Sequence, residues 1–224
     1  MKRMTDKDGN TYKTVKIGKQ EWMAENLNVS HFRNGDPIPE AKTNEEWEIA
    51  GKKGSPTWCY YKNDAENRKP YGKLYNLFAT WFNYKNNAKN RKTYGKLYNW
   101  YAVNDLRGLA PYDWHVPGDN EWTKLTDHLG GEVAAGGKLK ETGKTHWESP
   151  NERATNETDF TALPGGTRFS DGSFLNIGNY GYWWSSAEDN DEYAWFRSMY
   201  YFRSNVYRNT CYKETGCSVR CVRD

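Results

Sequence analysis

The sequence has no long hydrophobic run. No stretch approaches the roughly 20 apolar residues that a membrane-spanning helix needs, and only 36% of the 224 residues are hydrophobic. The first four residues lead into a polar turn rather than into the apolar core of a signal peptide. We therefore expect no membrane insertion by this chain. It is either a cytoplasmic protein or an exported, cell-surface protein whose signal has been removed.

The sequence also lacks an excess of charge of one sign. Its 32 basic and 29 acidic residues give a formal net charge of +3. Such a weak field does not favour nucleic acid or an anionic membrane as a partner. The basic cluster at residues 85–92 is predicted to be a solvated loop. We expect no nucleic-acid partner.

Histidine and cysteine are scarce, with four of each. Four cysteines allow three full pairings, and their spacing does not choose among them. No Cys-x-x-Cys pair occurs, so we do not expect a structural zinc site. The segment DKDGN at residues 6–10 is like the opening of a calcium loop but lacks the downstream ligands, so it predicts a hairpin turn. We predict no metal and no cofactor. The cysteines are Cys59, Cys211, Cys217 and Cys221.

Residue sets typical of catalysis are missing as well. No Ser-His-Asp set is evident, and no glycine-rich phosphate loop follows a strand. Residues 188–192 contain enough carboxylates for a glycosidase pair, but on a solvated loop such a run is usually acidic surface. We predict that the protein is not an enzyme.

Aromatic residues, in contrast, are abundant. They make up 16% of the chain, with 11 Trp and 17 Tyr. A core built from few but large side chains is expected, with long ordered loops around it. The length suits a single domain spanning residues 1–224.

An internal repeat occupies the region around residues 61–106. The segment YKNDAENRKPYGKLYN from Tyr61 recurs as YKNNAKNRKTYGKLYN from Tyr84, a shift of 23 residues. Two copies are too few for a solenoid, so we expect one copy to belong to the fold and the other to be an insertion. Each copy runs into a short helical pattern that we expect to pack in the core; a lectin-like aromatic groove is the alternative. Its apolar residues are Leu74, Leu77, Phe78 and Trp81 in the first copy and Leu97, Trp100 and Tyr101 in the second.

Two further segments predict regular structure. Residues 11–17 alternate like a strand between turns at Asp8–Asn10 and Gly18–Lys19, and Trp22 and Leu27 should follow into the core. A helix is expected after Gly118, capped by Asp119, with Glu121 in its first turn; its buried face is Trp122, Leu125 and Leu129, and Gly130–Gly131 ends it. From Val133 to Gly181 short strand patterns alternate with turns. The fold class is therefore α+β.

The C-terminal region 182–224 reads as a recognition surface. It interleaves aromatic anchors with short polar side chains, which supply contact area and adaptable hydrogen bonds. Within residues 194–201, alternation predicts that Trp195, Arg197 and Met199 face the core while Phe196, Ser198 and Tyr200 face out. A C-terminal hairpin that completes the core is the alternative. The predicted ligand-binding residues are Asp189, Asn190, Asp191, Tyr193, Phe196, Ser198, Tyr200, Phe202, Asn205, Tyr207, Asn209, Thr210 and Tyr212.

Six motifs carry a family resemblance. They are WMAENLN at 22–28, YGKLYNWYAVND at 94–105, DWHVPGDNEWTKL at 113–125, FTALPGGTRF at 160–169, GYWWSS at 181–186 and SVRCVRD at 218–224. In this order they resemble the Fibrobacter succinogenes major paralogous domain, over nearly the whole chain. That family is similar to the formylglycine-generating-enzyme branch of the C-type lectin fold. The resemblance implies a bacterial, often exported domain with two helices around a small twisted antiparallel sheet and long ordered loops.

The chain departs from this family at its cysteines. Members carry a cysteine just before the Gly-Trp-His-Val-Pro run, where this chain has Ala110–Asp113. The resemblance therefore implies a substitute bond between Cys59 and Cys221 and leaves Cys211 and Cys217 as unpaired thiols. Formylglycine-generating enzymes bind copper with two nearby cysteines, but the residues around this pair do not match their motif. An oxidase activity is thus a minor alternative.

Two binding hypotheses follow. The residue types that fill the outward positions from 189 to 212 can all be reached from an Asn codon by changing only its adenines. Proteins diversified by retroelements resemble this fold and carry such a region at the C-terminus, so we expect a diversified receptor for a protein or glycan on another cell, phage or host surface. The alternative is a surface module of fixed specificity that binds carbohydrate or protein. The calcium-binding triplets of C-type lectins are missing, which leaves sugar stacking on Trp or Tyr.

Overall fold

The computed structural model describes residues 2–62 and 93–223, and it confirms a mixed helix and sheet architecture. The described residues form four helices rather than the two that the resemblance implies: α1 (Asn44–Lys52), α2 (Trp100–Val103), α3 (Asp119–His128) and α4 (Glu132–Leu139). Helix α4 lies where only short strands and turns were predicted. The strands are β1 (Lys2–Thr5), β2 (Thr11–Ile17), β3 (Gln20–Met23), β4 (Trp58–Cys59), β5 (Leu97–Tyr98), β6 (Gly165–Arg168), β7 (Phe174–Ile177), β8 (Tyr180–Glu188), β9 (Tyr193–Tyr200), β10 (Tyr207–Tyr212) and β11 (Val222–Arg223).

The first sheet joins the two ends of the described chain. Its strand order is β1-β2-β3-β11, and β11 pairs antiparallel with β3 so that Val222 lies opposite Trp22. The predicted turn between β1 and β2 is present. The Asp6 carboxylate accepts hydrogen bonds from the backbone N–H groups of Asp8 and Asn10 and from the Tyr12 hydroxyl. Protein donors thus occupy the carboxylate that a calcium loop would turn toward its ion.

The second sheet has the order β10-β9-β8-β6-β7. Its pairs are antiparallel except for β6 with β8, which meet in parallel at Gly166 and Gly181. Trp184 and Phe196 pack in one core cluster with Tyr98, here called the first cluster. Trp183 and Met199 pack in a second cluster with residues of α3 and α4. Alternate residues of β8 and β9 therefore anchor the sheet on both sides.

Helix α3 has the predicted buried face, since Trp122, Leu125 and Leu129 all lie in the second cluster. Its cap differs from the prediction. Gly118 is the N-cap residue, and its N–H donates to the Glu121 carboxylate at 2.8 Å. Asp119 is the first helical residue, and its carboxylate forms salt bridges with Arg197 and Arg208 of the second sheet. The competition from these partners explains why the capping prediction was wrong.

The second copy of the repeat is built into the core. Leu97 and Trp100 are buried as predicted, but Leu97 lies in strand β5 and not in a helix. Asn99 caps the short helix α2 by accepting from the Ala102 N–H at 3.1 Å. The buried Lys96 donates to the Asn28 carbonyl at 2.8 Å. The helical pattern of the first copy and the basic cluster lie outside the described residues.

Buried arginines hold the long loops. Arg168 donates to the carbonyl groups of Ala41 and Thr43, and its guanidinium lies 4.7 Å from the ring centroids of both Trp47 and Phe174. Arg220 likewise donates to the carbonyl groups of Met23 at 3.0 Å, Phe160 at 2.6 Å and Thr161 at 2.9 Å. A guanidinium carries five N–H donors, so one side chain satisfies several carbonyl groups outside any sheet. This explains how loops stay ordered around a small sheet.

The expected bond between Cys59 and Cys221 is not formed. All four thiols are free; Cys221 lies in the first cluster with Ala110, whereas Cys59 lies in a third cluster beside Trp47. Both side chains are fully buried in their separate clusters. No helix within residues 2–62 and 93–223 has the length and apolar character needed to cross a membrane.

Candidate functional site

The candidate site is one side of the second sheet, where five aromatic side chains meet. We call it the aromatic face; it consists of Tyr180, Tyr182, Tyr200, Phe202 and Tyr207. Tyr180 lies opposite Tyr200 in the β8–β9 register, and Tyr182 and Tyr207 lie on either side of Ser198. Because opposite residues of paired strands point to the same side, the four tyrosine rings share one face. Phe202 lies in the turn after β9 and joins them through ring contacts with Tyr180 and Tyr200. All five are half-buried.

The rings of the aromatic face stack on one another. The ring centroid of Tyr200 lies 4.4 Å from that of Tyr180 and 4.6 Å from that of Tyr207, with 20° between the planes of the second pair. Phe202 adds a further stacked contact with Tyr200 at 5.9 Å. Tyr200 therefore has a neighbouring ring on each side. The Tyr207 contact is stacked and the Tyr180 contact is tilted by 43°, and together the two rings flank that of Tyr200 and leave mainly its edge accessible.

The turn that carries Phe202 packs against α4 and against Lys140, the residue that follows this helix. The Lys140 ammonium donates to the carbonyl groups of Tyr200 at 3.0 Å and Arg203 at 2.8 Å. Burial lowers the pKa of Lys140 to about 8. A side chain on Gly136 would collide with the Asn205 carbonyl, since its Cβ would lie 2.3 Å from that oxygen. Lys140 and Gly136 thus set the close approach of helix and turn.

On the opposite side of the sheet, arginines of β9 and β10 form salt bridges with α3. Arg197, which is fully buried, and the half-exposed Arg208 both bind the Asp119 carboxylate, at 2.9 and 3.0 Å. Burial alone would raise the pKa of Asp119, but the hydrogen bonds from Arg208 and Arg197 outweigh it and lower the pKa below its usual value. The Arg208 guanidinium also lies 3.4 Å from the ring centroid of Trp195.

The structure brings together some of the predicted ligand-binding residues and separates others. Tyr200, Phe202 and Tyr207 belong to the aromatic face, and the exposed Asn209 borders it opposite Phe196. Asn205 lies half-buried in the turn after Phe202. The remaining residues lie elsewhere: Asp189, Asn190 and Asp191 are exposed at the β8–β9 turn, and Tyr193, Thr210 and Tyr212 are on the opposite side of the sheet.

The expectation that Phe196 and Ser198 face solvent was wrong. Alternation along β9 holds, but Phe196 is only 8% exposed and Ser198 is 0% exposed. Phe196 packs in the first cluster, and Ser198 lies under the aromatic face with its hydroxyl 3.3 Å from that of Tyr200. Trp195, expected in the core, is half-exposed. Large neighbouring rings bury a small residue irrespective of the side on which it stands.

Tyr180 and Tyr182 are missing from the predicted ligand-binding residues, although Tyr182 begins the region 182–224 that was predicted as a recognition surface. The Tyr182 hydroxyl accepts a hydrogen bond from the Asn176 side-chain amide at 2.9 Å, which adds a polar border. The alternation of Tyr180 and Tyr182 around Gly181 was the available signal, because it places two tyrosines on one side of a strand.

Within residues 2–62 and 93–223, no group of three or more His, Cys, Asp or Glu side chains is placed to hold a metal ion. The acidic turn is tied down by Lys213, whose ammonium binds the Glu188 carboxylate and the Asp191 carbonyl. The arrangement can supply contact area and neutral hydrogen bonds.

Comparison with protein families gives a match over most of the chain. The model of the Fibrobacter succinogenes major domain matches residues 15–81 and 79–223, and the junction of the two ranges falls between the copies of the repeat. No match was found among curated proteins or among solved structures. Since the matched ranges together span residues 15–223, the chain belongs to the Fibrobacter succinogenes major domain family.

Proposed function

We propose that this chain is a non-enzymatic binding protein whose ligand contacts the aromatic face and its polar border. The observation that carries the proposal is the stack of half-buried rings on a sheet that is anchored on both sides. Tyrosine supplies large, rigid and amphipathic contact area at low entropic cost, which is why it is enriched at recognition surfaces. A rigid sheet under these rings reduces the ordering cost of binding further.

The scaffold we propose is a C-type lectin-like domain. Three features support it: α3 and α4 pack against the second sheet, long loops are ordered by buried arginines, and β11 closes on β3. The motif SVRCVRD supplies that closing strand, as the family resemblance implies. We further propose that the domain acts at the cell surface, with no insertion of this chain into the membrane.

A protein ligand fits the geometry better than a sugar. Sugar rings stack on open aromatic faces, whereas the ring of Tyr200 lies between those of Tyr180 and Tyr207. Edges and hydroxyl groups suit backbone and side-chain hydrogen bonding instead, and the amides of Asn176 and Asn209 border the rings. The partner would be a protein on another cell, phage or host surface.

A glycan array probed with and without a calcium chelator tests this choice of ligand. We expect no chelator-sensitive binding and no glycan whose binding is lost on Tyr207→Ala. Glycan binding that this substitution abolishes would instead support the fixed-specificity carbohydrate module.

We also propose that the binding surface is diversified by a retroelement. The positions that can vary without loss of the fold are the accessible ones: Asp189, Asn190, Asp191, Tyr193, Tyr200, Phe202, Asn205, Tyr207, Asn209, Thr210 and Tyr212. The buried Phe196 and Ser198 should be fixed. Sequencing sibling genes tests this: differences should concentrate at the accessible positions. Differences spread evenly along the chain would contradict diversification. They would not contradict ligand binding, which the glycan array tests separately.

A further inference from the structure

Two of the four cysteines meet at the first cluster. Cys211 is half-exposed on β10, the edge strand of the second sheet, and Cys217 is buried in the first cluster. The chain reverses between them in a turn closed by a hydrogen bond from the Thr215 N–H to the Tyr212 carbonyl at 2.9 Å. After this reversal the Cys211 side chain packs against the first cluster, where its thiol interacts with that of Cys217.

The backbone around the pair is well fixed. Cys217 exchanges hydrogen bonds with Tyr98 in both directions, at 3.0 and 3.1 Å, and Cys211 lies opposite Ala194 in the β9–β10 ladder. The other two thiols are placed differently. Cys59 and Cys221 are each 0% exposed, in separate core clusters. Among the described cysteines, only Cys211 and Cys217 form a pair of interacting thiols in which one member, Cys211, is accessible to solvent.

We propose that Cys211 and Cys217 form a dithiol that closes to an intramolecular disulfide by exchange with a small disulfide such as oxidised glutathione. The accessible Cys211 reacts first, as a thiolate that attacks one glutathione sulfur and releases the other glutathione as a thiolate. Cys217 then loses its proton to solvent and attacks the Cys211 sulfur, which releases the second glutathione. Two protein thiols are oxidised, and one glutathione disulfide is reduced to two thiols.

Cys211 and Cys217 have different roles in this exchange because Cys211 is accessible to solvent and Cys217 is buried. Burial raises the pKa of the Cys217 thiol, and the neighbouring Cys211 thiol raises it further. Since the thiolate is the nucleophile, the second step should be the slower one and should speed up as pH rises. The product would tie the edge strand β10 to the buried segment at residues 216–218, beside the border of the aromatic face.

Peptide mapping tests the proposal on the full chain. Cleavage after Lys and Arg places the cysteines on four different peptides: residues 54–62, 209–213, 214–220 and 221–223. The folded protein is exposed to oxidised glutathione, quenched with acid, alkylated after denaturation, digested and analysed by mass spectrometry. We expect a cross-linked pair of peptides 209–213 and 214–220 that lacks two hydrogen atoms, with peptides 54–62 and 221–223 alkylated.

Two variants make the result specific. Cys211→Ser removes the accessible thiol, so Cys217 should stay reduced and alkylatable in the same glutathione buffer. Cys221→Ser is the matched control and should form the cross-linked pair like the unmodified chain. Persistence of a glutathione adduct on Cys211 at raised pH, or separate alkylation of both peptides, would overturn the proposal. So would equal cross-linking to peptide 221–223.

Discussion

The two sides of strands β9 and β10 are stabilised by different chemistry. On the helix side, a fully buried arginine and a half-exposed one share the carboxylate of Asp119. On the aromatic face, half-buried rings stack on one another, and the polar contacts among them are between neutral groups. Charge pairing of this kind is specific and tolerates little change, whereas stacked rings over a fixed backbone can be exchanged more freely. The helix side is therefore scaffold, and the aromatic face is the side that we propose for recognition.

The strongest way to break the scaffold side is Arg197→Ala. It truncates a fully buried side chain and removes one of the two partners of Asp119, and the cavity left by such a truncation costs about 2–5 kcal/mol. Urea denaturation should show a loss of unfolding free energy in that range. Arg208→Ala is the control, because it removes the half-exposed partner of the same carboxylate and should cost about 1 kcal/mol or less. Equal losses for the two variants would contradict the distinction.

The border between scaffold and variable positions can be tested with Ser198→Tyr. Ser198 is fully buried under the aromatic face, so a large ring there should cost about 1–3 kcal/mol through overpacking. Asn209→Tyr introduces the same side chain at an exposed position on the same side of the sheet, and it should change the unfolding free energy by about 0.5 kcal/mol or less. Thermal unfolding of both variants checks this. Tolerance of tyrosine at 198 would show that the buried position is free to vary.

The support under the aromatic face can be removed with Lys140→Met. The Arg203 carbonyl loses the Lys140 donor, whereas the Tyr200 carbonyl keeps the Arg203 N–H. An unsatisfied buried polar group costs about 1–3 kcal/mol. Hydrogen exchange should rise at residues 201–206, while β1–β3 remain protected. Unchanged exchange in that turn would contradict the anchoring role.

Lys140 also makes a pH prediction. Its pKa is about 8 in the folded chain, against an ordinary value of 10.5, so the unfolded chain binds more protons between these values. Stability contributed by this group should therefore rise with pH across that window. The unmodified chain should show this rise relative to Lys140→Met when denaturation is measured at a series of pH values. Parallel pH profiles for the two proteins would refute the shift.

The smallest expected effect measures the ring stack itself. A double-mutant cycle with Tyr200→Ala and Tyr207→Ala should give a coupling of about 0.5–1.5 kcal/mol in unfolding free energy. The pair Tyr193 and Tyr212, whose ring centroids lie 4.5 Å apart on the other side of the sheet, is a matched comparison. A coupling near zero for Tyr200 and Tyr207 would indicate that their rings do not act as one surface.

Local patterns in the sequence predicted much of the fold. The apolar spacing of Trp122, Leu125 and Leu129 was sufficient for α3, and the turn at Asp8–Asn10 was sufficient for the β1–β2 hairpin. The Asp119 prediction failed because its partners, Arg197 and Arg208, are more than seventy positions away in the sequence. Local capping rules cannot include a competitor that only the tertiary fold supplies.

The candidate site was predictable only where local patterns determine it. Alternation placed Tyr200 on the side of β9 that carries the aromatic face, and residues 182–224 contain four of the five rings of that face. Burial of Ser198 depends on rings from two neighbouring strands, and the contribution of Tyr180 depends on the β8–β9 register. Strand register and cross-strand packing are long-range properties, so a single sequence does not determine them.

Sequencing of the encoding locus tests the central claim most directly. If the aromatic face is a diversified binding surface, a reverse transcriptase gene should lie beside this gene. A near-copy of the segment encoding residues 182–224 should accompany it and should differ only at adenines, with none of those differences changing Phe196 or Ser198. A locus with neither element would contradict diversification, and the aromatic face would then be a surface of fixed specificity.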